Sequence, residues 1–154
     1  MTTIDTDNLV DDFVSNLAAI FEAHQTSLGL NEIYKDDLLT IPIVPSVAIS
    51  CTSFFNTKRT IGSNRARYEF DIIGEIWYYH CSINPDIRRN LVMRNAFKVS
   101  QCIIENASLN GWLTNTRALV RSCNYTVRPR SGSVMASARI IVIAPYQLTI
   151  DAIV

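Results

Sequence analysis

The sequence predicts an α+β domain: a four-stranded, mainly antiparallel sheet built from two β-hairpins, with two helices packed on one face, in the order α-β-β-α-β-β. Three observations predict it. Apolar residues near the N-terminus recur at intervals of three and four, the period of a helix with one buried stripe. In "RYEFDIIGEIWYY", Arg67 to Tyr79, polar and apolar side chains alternate as they do in a strand with two unlike faces. After Asn84-Pro85 the slower helical rhythm returns and runs to Gly111, and two more strand-like stretches close the chain. Hairpins with both helices on one side bury all of these stripes in a single core.

The first helix buries Leu9, Val10, Phe13, Val14, Leu17, Ile20 and Phe21, leaves Asp11, Asp12 and Glu22 in water, and takes Asp5 or Asp7 as its cap. In "HQTSLGLNEIYKDDLLTIPIVP", Gly29, Pro42 and Pro45 mark a connector that resists both helix and central strand. Residues 46–52 alternate as a first strand. The polar, glycine-containing "SFFNTKRTIGSNRA" then reads as a long, mobile hairpin loop carrying Lys58, Arg59, Arg65 and Arg67. In the second strand Tyr68, Phe70, Ile72, Ile76 and Tyr78 are expected to face the helices. Arg67, Glu69, Asp71, Glu75 and Tyr79 are expected to face water or a neighbour, and Gly74 to mark a bulge or bend.

Asn84 suits a cap with Pro85 at the first helical position. The second helix is expected to bury Ile87, Leu91, Val92, Ala96, Val99 and Ile103, with Phe97 and Ile104 at the margin of that stripe, and to stop at Asn110-Gly111. Residues 119–127 and 134–144 flank "RPRSGS" and form the closing hairpin, which Pro145 ends; "YQLTIDAIV" is left as an apolar tail that docks on the body.

At 154 residues the chain reads as one domain, 1–154. Its 48% hydrophobic and 18% charged residues exclude disorder as the main state and imply more apolar surface than a small monomer hides, so a partner is expected to cover the excess. No apolar run is long enough to span a bilayer, and the acidic "MTTIDTDNLVDDF" is unlike a signal peptide, so a soluble, cytoplasm-made protein without membrane partner is expected. Cys51, Cys81, Cys102 and Cys123 lie far apart without metal-ligand spacing and are expected to be reduced, apolar thiols. Net charge is zero, but residues 1–39 carry eight acids against Lys35 alone, a balance of −7, and the remainder carries +7. Such polarity lets an acidic face of one copy meet a basic face of another, or marks nothing more than a solvated helix.

Catalytic material is thin. His24 sits near a helix end, and His80 and Cys81 are adjacent in a strand, so they point to opposite faces and form no dyad. Glu69, Asp71 and Glu75 share one strand face, which reads as a solvated or subunit-contacting surface before it reads as an acid–base pair. Phosphate-loop and HExxH motifs are absent, so no cofactor, metal or catalytic residue is assigned. Arg117, Arg121, Arg128, Arg130 and Arg139 with Tyr125 make a cationic hairpin, suited to nucleic acid or to ion pairs between subunits.

Taken together, the acidic N-terminal helix, "IPIVPSVAIS", the cationic loop, "RYEFDIIGEIWYY", the Asn84-Pro85 helix and the closing "ASARIIVIAPYQL" resemble the tail terminator proteins of tailed bacteriophages. That resemblance implies a non-enzymatic virion protein at the head–tail junction. Its subunit forms a hexameric ring on the head-proximal end of the tail tube, contacts tail tube, sheath and neck proteins, and lets DNA pass through the lumen. Contacts with copies or neighbours are expected at Lys58, Arg59, Arg65, Arg67, Glu69, Asp71, Glu75, Arg128 and Arg130. The competing readings are a head-side neck or stopper protein, and a small α+β binding module or enzyme using Glu69, Asp71, Tyr79 or His80.

Overall fold

A computed structural model of the chain describes residues 6–36, 42–62, 65–80, 85–130 and 133–151. Helix α1 (Thr6–Ala23) places Phe13, Val14, Leu17, Ala18, Ile20 and Phe21 in the core, the stripe that its three-and-four spacing predicts. Leu9 and Val10 stay partly exposed. Thr6 is already helical, so Asp7 stands inside the helix and does not cap it, while Asp5 and Asn84 lie outside the described residues. A single further turn, α2 (Gln25–Leu28), stops at Gly29, whose φ of 67° lets its N–H reach back to the carbonyls of Gln25 and Thr26.

The chain is α+β, but its sheet has five strands where four were expected. They are β1 (Glu32–Tyr34), β2 (Ser46–Ile61), β3 (Arg65–His80), β4 (Leu119–Arg130) and β5 (Ser133–Asp151), in the spatial order β1-β2-β3-β5-β4. The unexpected strand is β1, three residues inside the presumed connector, which pairs parallel to the start of β2. All other pairings are antiparallel. Helix α1 lies over β2 and α3 (Pro85–Glu105) lies over β4 and β5, so both long helices cover one face.

The predicted loop 52–66 is instead mostly strand, with Ser63 and Asn64 outside the described residues. Two register shifts, between Cys51/Ser53 and Asn56/Lys58, each add one residue to β2 and flip the phase of its side chains. That is why no alternation is visible in "SFFNTKRTI". The extra residues are Thr52 and Thr57, and their hydroxyls donate to the carbonyls of Ile73 (3.2 Å) and Glu69 (3.1 Å).

Strand β5 likewise runs past Pro145 to Asp151, so the supposed tail is strand as far as it is described. The Pro145 carbonyl accepts the Thr116 hydroxyl on the side away from β3. In a strand a residue's nitrogen points the same way as its carbonyl, so the missing N–H costs no bond to β3.

Helix α3 buries Val92, Ala96, Val99, Cys102 and Ile103, but Phe97 and Ile104 are 67% and 58% exposed, on the far side of the helix from that stripe. It also ends at Glu105, earlier than expected, and Leu109, Asn110 and Gly111 follow with positive φ. On the sheet, Ile72, Ile76 and Tyr78 of β3 meet Val47, Ile49, Ile140 and Val142 beneath the helices.

Gly74 does mark a bulge, though the extra residue belongs to its partner: the shift between Cys51 and Ser53 of β2 falls opposite Gly74 and Ile73. A side chain at Gly74 would collide with the ring of fully buried Phe13, and would sit 3.3 Å from the Ser50 carbonyl. Gly74→Ala is therefore expected to lower unfolding free energy by about 1–3 kcal/mol, measured by urea denaturation. Phe13→Leu, which opens space at that point, is expected to cost less in the Gly74→Ala background than alone.

Candidate interaction surfaces

Past the helices, β2, β3 and the end of β5 continue as a three-stranded arm. From Ile73 to Arg65 it extends by about 26 Å at ~3.3 Å per residue. Its helix-side surface is aromatic and grows out of the core: Phe13 tilts against Trp112 (6.4 Å), Trp112 stacks on Tyr146 (4.7 Å), and Tyr146 pairs in register with Phe70. Phe70 is in turn flanked by Phe54 edge-on and Tyr68 stacked, and Arg59 lies 5.4 Å over Tyr68. These rings stiffen the arm, yet Phe54, Phe55 and Ile61 remain 47%, 57% and 65% exposed.

The opposite face of the sheet carries no helix among the described residues, and it is organised in three zones. At the body end Trp77 and Tyr79, expected to be at a wet or shared surface, are buried with Ala48 and Met135 in a second small core edged by Tyr34 and Val44. Small residues across the strands leave room for the two rings, which stack at 6.4 Å. Arg128 lies 3.7 Å over the Trp77 ring and donates to the Tyr79 hydroxyl (2.9 Å). Trp77 Nε1 donates to Glu75 (3.2 Å), and Glu75 also receives Arg139 Nε at 2.9 Å. The middle zone is an apolar row in register, Ile73, Ile143 and Leu119, with Ile141 beside it. On the arm, Gln147 accepts from Arg67 and donates to Glu69 (2.9 Å).

The nine predicted contact residues therefore do not make one site. Lys58, Arg59, Arg65 and Arg67 cluster at the far end of the arm, with Glu69 and Asp71 partly buried behind them. Glu75 and Arg128 belong to the body, and Arg67 to Tyr79 along β3 spans about 40 Å. Glu75 and Arg128 are committed to partners inside the chain, as is Arg139, which was expected to be available for pairing between subunits. The side chain of Arg130 and the whole of Cys81 lie outside the described residues. Sequence reasoning missed Trp77 as an anchor and Phe54, Phe55 and Ile61 as exposed apolar surface. A tryptophan at an odd position of an otherwise charged face was the available signal.

No catalytic constellation is brought together among the described residues. His24 Nδ1 lies 2.9 Å from the Ile20 carbonyl, and His80 meets the Tyr78 ring edge-on. The described residues hold no group of three His, Cys, Asp or Glu placed to bind a metal ion. Burial raises the thiol pKa of Cys51, Cys102 and Cys123, the opposite of what a nucleophile needs. Burial also pushes the Tyr78 phenol up to about 12, against a smaller opposite effect of the Asn95 amide that donates to it at 3.1 Å. No described helix is long and apolar enough to cross a membrane. Comparison with protein-family models and with curated proteins finds no match for the chain.

Arg128→Ala is expected to lower stability by about 1–3 kcal/mol, because it removes both the cation–π contact and a buried hydroxyl's partner; Arg128→Lys restores the charge without the planar stack and recovers only part of the loss in the same urea titration. Tyr78 predicts a separate alkaline limit. Its folded pKa lies above the unfolded value, so its stabilising effect is complete below about pH 10 and is lost as pH rises toward 12. Thermal melts across that range are expected to fall less steeply for Tyr78→Phe than for the wild type.

Proposed function

We propose that the chain is a structural virion protein of a tailed bacteriophage. In this reading it is a hexameric ring subunit that caps the head-proximal end of the tail tube and joins it to the neck. Its partners are copies of itself, the tail tube and neck proteins, and the tail sheath where there is one; DNA meets it only on its way through the lumen. The sequence pattern supports this reading, as does a body whose described helices lie on one face of the sheet. The observation that carries it is the arm. A three-stranded extension with exposed Phe54, Phe55 and Ile61 on its outer strand loses conformational entropy without burying those side chains in a lone chain. Burial against a neighbour repays that cost, at about 25 cal/mol per Å² of apolar surface covered.

A ring subunit needs two unlike adhesive surfaces on every copy, because only a heterologous contact propagates around a rotation axis. The arm and the helix-covered body supply two such surfaces. Light scattering of the purified chain at low ionic strength is expected to give a multiple of the 17.3 kDa protomer mass, and negative-stain images are expected to show closed rings that bind the ends of isolated tail tubes. A protein that stays monomeric under these conditions, or that binds portal rings and leaves tube ends bare, would count against this placement.

A further inference from the structure

We infer that the cationic end of the arm of one copy seats on the acidic outer face of α1 in the next copy. The inference rests on the ring reading and names its mating surfaces. Lys58, Arg59, Arg65 and Arg67 are all exposed at the end of the arm, where the sheet register sets Glu69 opposite Lys58 and Asp151 opposite Arg65, so cations remain in excess. Helix α1 has the opposite character. It exposes Asp11 and Glu22, half-exposes Asp12, and contains neither lysine nor arginine. Beside it, a cleft of about 400 Å³ is lined by Val10, Asp11 and Val14 of the helix, by Lys35 and Asp36, and by Cys51 of β2.

Within one molecule these surfaces cannot neutralise each other. The cleft reaches the sheet at Ser50 and Cys51, and Arg59 lies six register steps further along the β2–β3 pair, the two bulge residues adding no length, which is about 20 Å. That is roughly two and a half Debye lengths at physiological salt, so within one chain the two surfaces barely feel each other. Only a second copy brings them together, and each copy presents one of each, which is the head-to-tail arrangement a closed ring requires. The charges set register and encounter, while Phe54, Phe55 and Ile61 supply apolar area.

The contact is made by side chains, not by strand addition. The outer edge of β2 is blunted by its two bulges and by Lys58 and Arg59, devices that keep a strand edge from pairing with another.

Two double variants test this. Arg59→Glu with Arg67→Glu makes arm and helix both acidic; Asp11→Lys with Glu22→Lys makes both basic. Each alone is expected to fall to the protomer mass in sedimentation velocity, with thermal unfolding close to that of the wild type. Mixed in equal amounts, they are expected to regain the wild-type assembly mass as alternating copies, an outcome that a misfolded variant cannot give. If the wild type assembles and either variant still does so alone, or if the mixture stays dissociated, the inference is overturned and the ring reading stands. A wild type that is monomeric at every ionic strength overturns both. If the arm variant assembles normally but loses affinity for duplex DNA, the cationic end serves a polyanion and the inference is again overturned.

Discussion

The ring of Phe13 presses on the backbone of β3 at Gly74, and much of the architecture follows from that seat. With no Cβ in the way, α1 settles close enough to the sheet for Phe13, Leu17 and Phe21 to be fully buried. Ile72, Ile76 and Tyr78 belong to the core beneath the helices; further out, Phe70 is flanked by Phe54 and Tyr68, and the arm begins. Trp112 and Tyr146 bridge the two regimes, joined at one end to Phe13 and at the other to the register partner Phe70. The arm is therefore an extension of the core's own packing and not an appended loop.

On the uncovered face, the body end is closed by a different device. Among the described residues no helix shields Trp77 and Tyr79; the Arg128 guanidinium lies over the indole and is bonded to the phenol. Arginine suits this position because its plane stacks while its edge still donates, which a lysine ammonium cannot do. Glu75 extends the network through the indole N–H to Arg139. Such a network holds the body end of the sheet rigid and leaves the apolar row at Ile73, Ile143 and Leu119 in the middle. Rigidity at one end and exposure at the other are what a subunit needs if its contacts are to be made by a projecting lever.

How much of this was legible depended on whether local pattern and tertiary pairing agreed. In α1 they agree, and its buried stripe could be read from Phe13 to Phe21. The α+β class and the two hairpins were readable for the same reason. The arm was not, because the phase flips at Thr52 and Thr57 erase the period-two signal, and only pairing with β3 makes those residues strand. Pro145 misled because a proline usually ends a strand, and nothing local says which side its nitrogen faces. In β3 the alternation gave the right faces, but not the fate of Tyr79, whose burial is decided by Ala48, Met135 and Arg128 from other strands. The contact residues fared likewise: the cations at 58–67 could be grouped from sequence, whereas the commitment of Glu75 and Arg128 to internal partners depends on residues 49 to 64 positions away.

The bulges that hid the arm from sequence also bear on how the arm can be used. A flat, regular edge as long as β2 would pair indiscriminately with other strands, and so with copies in any register. Each bulge interrupts that template, and each bulged threonine ties its hydroxyl back to a β3 carbonyl. What remains for recognition is the pattern of side chains, which has direction and register where a bare backbone edge has little. A geometry of that kind favours a contact of defined angle over open-ended aggregation, and a defined angle repeated from copy to copy is the physical requirement for a ring to close.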